Sequence, residues 1–324
     1  GVYTSAIDRK DVGNIVQIDE LNGHDGPVYT LSWSPDGTQI ASGSHDGTLR
    51  IWDITSRENV WTIEAHEGSV WSVAWSPDGK LLVSGGYDGY LRLWDGDTGE
   101  QVAMTKTPLA YCVHSVAWSP DGQLLASGHA NGSVVIYDLQ MTQPLIHWDG
   151  HLAGGISTEV IAVVWSPDGG ILASGGLDYN VRLWDPASGE DIGFLRADSS
   201  RRNDINGLAW SPDGSMLAAA GQDGNVRLWD PVDGEQKMVL QHDTLQWTRG
   251  IAWSPDGKLL ITTGGDAIVR LWDAKKGEEL ITLTGHNSPV WSVAWSPDGS
   301  MFATGSGVYE SNKGDTSIRI WGTP

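Results

Sequence analysis

The chain contains one cysteine, Cys112, in 324 residues. It cannot form an internal disulfide, and no paired Cys/His spacing of the zinc-binding kind exists. Positive charge is scarce as well: 20 Lys and Arg face 41 Asp and Glu, a formal net charge of −21. A nucleic-acid partner calls for a basic stripe, which is missing, so nucleic acid is not an expected ligand. No apolar run approaches the roughly 18–20 residues that span a bilayer as a helix, and no segment resembles a signal peptide. No glycine-rich loop carries the lysine of a phosphate cradle. Neither cofactor nor metal is expected, no membrane association is expected, and the lone thiol points to a cytoplasmic compartment.

Glycine and tryptophan are abundant, with 42 and 18 copies. The segment Trp-Ser-Pro-Asp-Gly opens at Trp33, Trp75, Trp118, Trp165, Trp210, Trp253 and Trp295, at steps of 42, 43, 47, 45, 43 and 42 residues. A period of about 40–45 residues is the signature of a repeat architecture. Before each copy runs an apolar stretch such as Val70–Trp75, and after it a second, Leu81–Ser84. Then come a Gly/Asp turn, a third apolar run closing on Trp-Asp, and a last extended piece ending near a Gly-His or Ala-His pair. Four β-rich runs between turn residues predict one four-stranded antiparallel sheet per repeat. Within the first strand the apolar residues lie three apart, as in Val70 and Val73, which predicts a β-bulge.

The Gly-His start, the closing Trp-Asp and the period resemble the WD40 repeat family over about residues 14–324. The resemblance implies an all-β, seven-bladed β-propeller with four antiparallel strands per blade, forming a single domain. Residues 1–13 carry no repeat and are expected to be a tail or linker. Residues 14–21 read as an outer strand lacking its own blade, whereas Ile318–Trp321 is a third strand with almost nothing after it. The N-terminal strand is therefore expected to complete the last blade, close the ring and remove its edges.

His24, Ser42, Asp46 and Trp52 invite a hydrolytic reading, but the set recurs as His66, Ser84, Asp88, Trp94, as His151, Ser174, Asp178, Trp184, and as His286, Thr304, Asp315, Trp321. A catalytic triad needs one nucleophile beside an oxyanion hole. Four copies argue for the hydrogen-bonded tetrad that the resemblance implies inside each blade. The third repeat departs with Leu109, Ser127, Asn131 and Tyr137; the fifth has Ala219, Asp223 and Trp229, with Arg201 in the His register. The sixth keeps Thr262, Asp266 and Trp272, with His242 displaced by two residues. Blades three and five are expected to be locally weaker.

Nineteen of the 41 acids occupy recurring turn positions and predict a solvated acidic rim. Insertions at Leu152–Ser157 and Ser306–Gly314 fall in loops. On the face called top in the family, the positions free of scaffold duty hold Tyr29, His45, Trp71, Tyr87, His114, Glu159, Asp204, Trp247, Arg249 and Trp291. Tryptophan and tyrosine are enriched in binding hot spots. The expectation is a non-enzymatic, monomeric scaffold that binds a protein or peptide segment through an exposed aromatic patch. A basic residue of the ligand would face Glu159 and Asp204. One alternative is a C-terminal regulatory or sensor module of a larger kinase, protease or nucleotide-switch protein, compatible with the missing initiator Met. Another is an enzyme at the channel rim using Glu159, Asp204 and Arg249.

Overall fold

The computed structural model describes residues 6–107, 111–153, 156–196, 203–242, 246–311 and 314–324. Seven four-stranded antiparallel sheets stand around a central channel as the blades of a propeller. In blade one the strands are Val28–Trp33, Gln39–Ser44, Thr48–Asp53 and Asn59–Glu64, innermost to outermost. Blade seven takes its outer strand from the other end of the chain: Val16–Leu21 lies beside Ile318–Gly322, with Val16 opposite Gly322 and Leu21 opposite Ile318. The helical content among the described residues is one 3₁₀ turn, Val12–Asn14. The insertion in the fourth repeat forms a short backbone hairpin of Leu152–Ala153 with Ile156–Ser157. No helix among the described residues is long and apolar enough to cross a membrane.

Each residue of the recurring pentapeptide has a structural task. The indole of Trp33 donates across the blade boundary to the Ala294 carbonyl at 3.0 Å, and Trp118 donates to Ala74 at 3.0 Å. Trp165, Trp253 and Trp295 repeat this bond, whereas Trp75 and Trp210 lack it. The serine hydroxyl donates to the turn aspartate, 2.6 Å for Ser34 to Asp36, and accepts the Gln39 backbone N–H at 3.0 Å. That aspartate also accepts the Thr38 N–H, so the turn's polar groups are satisfied locally. Gly37 has φ +73°, a conformation that favours glycine, and its α-carbon faces Pro297 of the preceding blade. Gly79 faces Pro35 in the same way, so the turns nest against one another around the ring.

The first strand of every blade carries the bulge. Pairing with the second strand skips one residue in each sheet: between Val28 and Thr30, Val70 and Ser72, Val113 and Ser115, Val160 and Ala162, Ile205 and Gly207, Thr248 and Gly250, and Val290 and Ser292. The sixth repeat keeps it although Thr248 replaces the usual Val or Ile. The flanking apolar residues pack between blades, and the skipped residue is turned out of the ladder.

The N-terminal segment corrects one expectation. Residues 6–13 are not a free tail. Ile7, Val12 and Ile15 are buried with Leu259, Ile261, Trp295 and Phe302 where blades six and seven meet. The Ile7 N–H donates to the Gly299 carbonyl at 2.9 Å, and Arg9 reaches Asp273 and Glu278, each at 2.9 Å. These three apolar side chains close the end of a core beside the seam between Val16–Leu21 and Ile318–Gly322. Ile7→Ala and Val12→Ala should therefore each cost about 1–4 kcal/mol in denaturant titrations. Deleting residues 1–21 should lower the melting temperature further, because it also strips blade seven of its outer strand. An unchanged melting temperature after that deletion would contradict the closure.

Candidate functional site

The bulge residues generate the candidate site. In blade order they are Tyr29, Trp71, His114, Ile161, Asn206, Arg249 and Trp291, and all seven line a central channel cavity of about 280 Å³. Released from the strand ladder, their side chains converge from different blades on one axis. Nearby, the turn between second and third strands is tied to the entry of the first: the His45 N–H donates to Pro27 at 3.0 Å, Tyr87 to Ser69 at 2.9 Å and Gln222 to Asp204 at 2.9 Å. These segments form the rim.

The ring has an aromatic arc and a polar arc. Tyr29 stacks on Trp71 with ring centroids 4.5 Å apart and 13° between planes, and meets Trp291 edge-on at 5.3 Å. Trp247 lies 4.6 Å from Trp291. Across the mouth, His114 meets Trp71 edge-on at 5.5 Å, and its Nε2 sits 3.0 Å from a Glu159 carboxylate oxygen. Its bond from His114 holds the Glu159 carboxyl below the usual range, against the opposing effect of burial. Asn206 donates to the Thr248 carbonyl at 3.2 Å, and the Arg249 guanidinium lies 5.4 Å from the centre of the Trp291 ring.

The expected exposed aromatic patch needs correction. Tyr29, Trp71 and Trp291 are only 2%, 7% and 9% exposed. Neighbouring bulges bring these rings into mutual contact, and the insertion in the seventh repeat adds Tyr309 on top. Its ring lies 6.3, 6.2 and 5.7 Å from those of Tyr29, Trp71 and Trp291. The Glu310 N–H donates to the Tyr29 hydroxyl at 3.2 Å, and the Trp291 indole donates to the Gly307 carbonyl at 2.8 Å. Burial, then Glu310, push the Tyr309 hydroxyl up to about 12. Tyr309 is itself 51% exposed and is the residue the sequence reading missed; the only signal was the length of its insertion.

The other rim residues are less unified. His45 bonds the Ser69 hydroxyl at 2.8 Å and meets Tyr29 edge-on at 6.1 Å. Tyr87 is 61% exposed and makes no ring contact with the cluster. Asp204 is half-buried, and burial raises its pKa. The trio Glu159, Asp204 and Arg249 is not drawn together by any ion pair among the described residues.

In the four regular tetrads the geometry repeats. His24 Nδ1 lies 2.9 Å from Asp46 and Nε2 2.7 Å from the Ser42 hydroxyl, which accepts the Trp52 indole N–H at 2.8 Å. His66, Ser84, Asp88 and Trp94 are joined at 2.7–2.9 Å, His151, Ser174, Asp178 and Trp184 at 2.6–2.9 Å, and His286, Thr304, Asp315 and Trp321 at 2.8–2.9 Å. Burial raises the Asp46, Asp88 and Asp315 carboxyls, yet their hydrogen bonds outweigh it and hold them well below the ordinary range. Burial also lowers His24, His66 and His286.

The irregular blades find substitutes. Displaced His242 still reaches the Thr262 hydroxyl at 3.0 Å, and that hydroxyl accepts the Trp272 indole N–H at 2.8 Å. In blade three, His129 from the second strand meets Ser127 at 2.8 Å, taking the imidazole's place from a different backbone position. In blade five, the Asn203 side-chain amide oxygen accepts the Asp223 backbone N–H at 2.9 Å. Leu109 and Arg201 lie outside the described residues.

With this geometry established, the chain belongs to the WD40 family: the description "WD domain, G-beta repeat" matches residues 15–53, 57–95, 102–138, 142–185, 191–230 and 277–322. A second description, "Anaphase-promoting complex subunit 4 WD40 domain", matches residues 236–298. Among individual proteins, it is similar to the periodic tryptophan protein 2 homolog of Schizosaccharomyces pombe, 51% identical over 43 residues, which is 13% of this chain and 5% of that protein. WD repeat-containing protein 1 of Mus musculus is 43% identical over 47 residues, 14% of this chain and 8% of the relative. The serine-threonine kinase receptor-associated protein of Gallus gallus is 49% identical over 39 residues, 12% of this chain and 11% of the relative. Each match spans about one repeat and a small part of the relative's length.

Two measurements probe the tetrads. Ser84→Ala should cost about 1–3 kcal/mol, because it leaves His66 and Trp94 without their shared partner. The second concerns pH. Burial, then the charges of His114 and His147, lower His129 from its ordinary 6.5 to about 3. Between those values the folded protein binds fewer protons than the unfolded chain, so His129 contributes stability that is present above pH 6.5 and lost as pH falls toward 3. Melting temperature should decline across this window, and His129→Gln should flatten the decline. An identical slope in the variant would refute the assignment.

Proposed function

We propose that this propeller is a non-enzymatic docking scaffold that binds a protein or peptide segment on its top face. The observation that carries this reading is the ring of seven bulge residues. The strand ladder does not use them, they differ from blade to blade, and they converge on one mouth. Fold alone would not decide, since propellers host many activities. Against the enzyme reading, the regular Ser/His/Asp sets spend their hydrogen bonds inside their blades, and Glu159, Asp204 and Arg249 do not converge. The name of one relative, serine-threonine kinase receptor-associated protein, points the same way.

In this reading the buried rings of Tyr29, Trp71 and Trp291 form the floor, and the partner touches Tyr309, Tyr87 and the half-buried Trp247. A basic residue of the partner faces Glu159 and Asp204. The protein acts as a monomer in the cytoplasm, and its acidic surface disfavours nucleic acid.

The test is selection of displayed peptides on the full chain, followed by binding measurements with variants. Tyr309→Ala should weaken selected peptides at least about tenfold, the scale of a hot-spot loss, with little change in melting temperature. Glu159→Lys should act mainly on the association rate and its salt dependence. Trp71→Ala is a poor probe, because truncating a buried tryptophan typically costs about 3–5 kcal/mol of stability. Peptides indifferent to Tyr309 and Glu159 but displaced by changes in the Ser-Pro-Asp-Gly turns would move the site to the opposite face.

A further inference from the structure

The bulge ring holds one arginine and no carboxylate. Four third-strand arginines have counter-ions: Arg92 pairs with Asp88 at 2.8 Å, Arg227 with Asp223 at 2.6 Å, Arg270 with Asp266 at 2.7 Å and Arg319 with Asp315 at 3.2 Å; Arg50, at the same position of blade one, bonds the Thr48 hydroxyl at 3.4 Å instead. Arg249 has no ion pair or hydrogen bond with any described residue, although it lines the channel cavity. Its flat guanidinium lies over Trp291 at 5.4 Å. Burial lowers its pKa, and only the Tyr29 and Tyr309 hydroxyls oppose that effect. The nearest bulge neighbours are neutral, Asn206 and Trp291, and the Glu159 carboxylate is engaged by His114 on the other side of the ring. Two further donors on these first strands, the Trp71 indole N–H and the Ser292 hydroxyl, have no partner among the described residues.

The half-buried Arg249 guanidinium keeps unused N–H donors at the cavity, and a carboxylate that reaches it gains charge-assisted hydrogen bonds. A guanidinium held flat presents its N–H fork to a carboxylate in two parallel bonds. The cavity, about 280 Å³, matches a side chain or chain terminus and not a folded element. We propose that the channel mouth takes a carboxylate on Arg249, with the carbon skeleton of the same group against Trp291. The carboxylate belongs to an acidic side chain or C-terminus of the docked segment, or to a free small acid. This inference rests on the docking role and assigns the charge of the group that enters the channel; the segment's basic residue stays on the rim at Glu159.

The experiment uses the full chain and calorimetric titration with 3-phenylpropionate, its amide, and phenethylamine as carboxylate, neutral and cationic probes of one shape. An acetylated Gly-Gly-Phe peptide with a free or amidated C-terminus separates a peptide source from a free acid. The expected result is saturable binding of 3-phenylpropionate, at least about tenfold tighter than the amide. Arg249→Gln should abolish that discrimination, and Arg249→Lys, which keeps charge but loses the planar fork, should retain part of it. A free-terminus peptide that outbinds 3-phenylpropionate makes the ligand a chain end; the reverse makes it a free acid. No binding of any probe, equal binding of acid and amide, preference for phenethylamine, or unchanged discrimination in Arg249→Gln would each overturn the proposal. Selected top-face peptides without carboxylate preference would sink this inference alone. Carboxylate discrimination without any selected peptide would instead sink the docking role.

Discussion

One skipped ladder position per blade determines what lines the central channel of this molecule. A regular strand would send alternate side chains into the two neighbouring blade interfaces and leave none for the channel. The bulge keeps Val70 and Val73 in those interfaces and diverts Trp71 to the axis. Repeated seven times, it gathers residues from distant parts of the sequence into one ring. The rest of each blade holds that position steady. Indole-to-carbonyl bonds fix one blade to the next, nested turns fix the opposite face, and tetrads fix each blade internally.

Scaffold and site therefore make different demands on sequence. The pentapeptide is the same in all seven copies because every residue in it has a bonding or steric task. The bulge position has no task common to all blades, and it holds Tyr, Trp, His, Ile, Asn, Arg and Trp in turn. Altering it changes the lining of the channel mouth and leaves the ladder pairing intact. Altering Ser84 or Gly79 would disturb the blade or its seam.

The fold was legible because its determinants are local and repeated. The period, the Pro-Asp-Gly turn and the three-residue apolar spacing each have a direct physical reading, and so did the orphan strand at 14–21. The positions of Trp71 and Trp291 at the mouth were legible for the same reason. Their burial was not, because it depends on contacts between blades and on Tyr309, which arrives from an insertion with no pattern. Ile7 and Val12 were missed because two apolar residues in a short segment carry no period. His129 was missed because it fills a chemical role from a different backbone position. That no described residue serves as counter-ion to Arg249 is a matter of three-dimensional proximity, invisible in a chain with twice as many acids as bases.

The seam at blade seven also bears on how the chain reaches this state. Val16 pairs with Gly322, so the contact that completes the ring joins segments on the order of 300 residues apart. Closing so long a loop carries a chain-entropy cost that contacts within a blade do not incur. Six blades can assemble from neighbouring segments, but the seventh must wait for these two distant strands to meet, a topology that slows folding. During that interval the third strand of blade seven presents an unpaired edge beside an incomplete core. The repeats are so alike that a strand from another molecule could fit that edge. The large negative charge opposes such encounters by keeping unfinished chains apart. Self-repulsion of this kind matters most before the ring is closed.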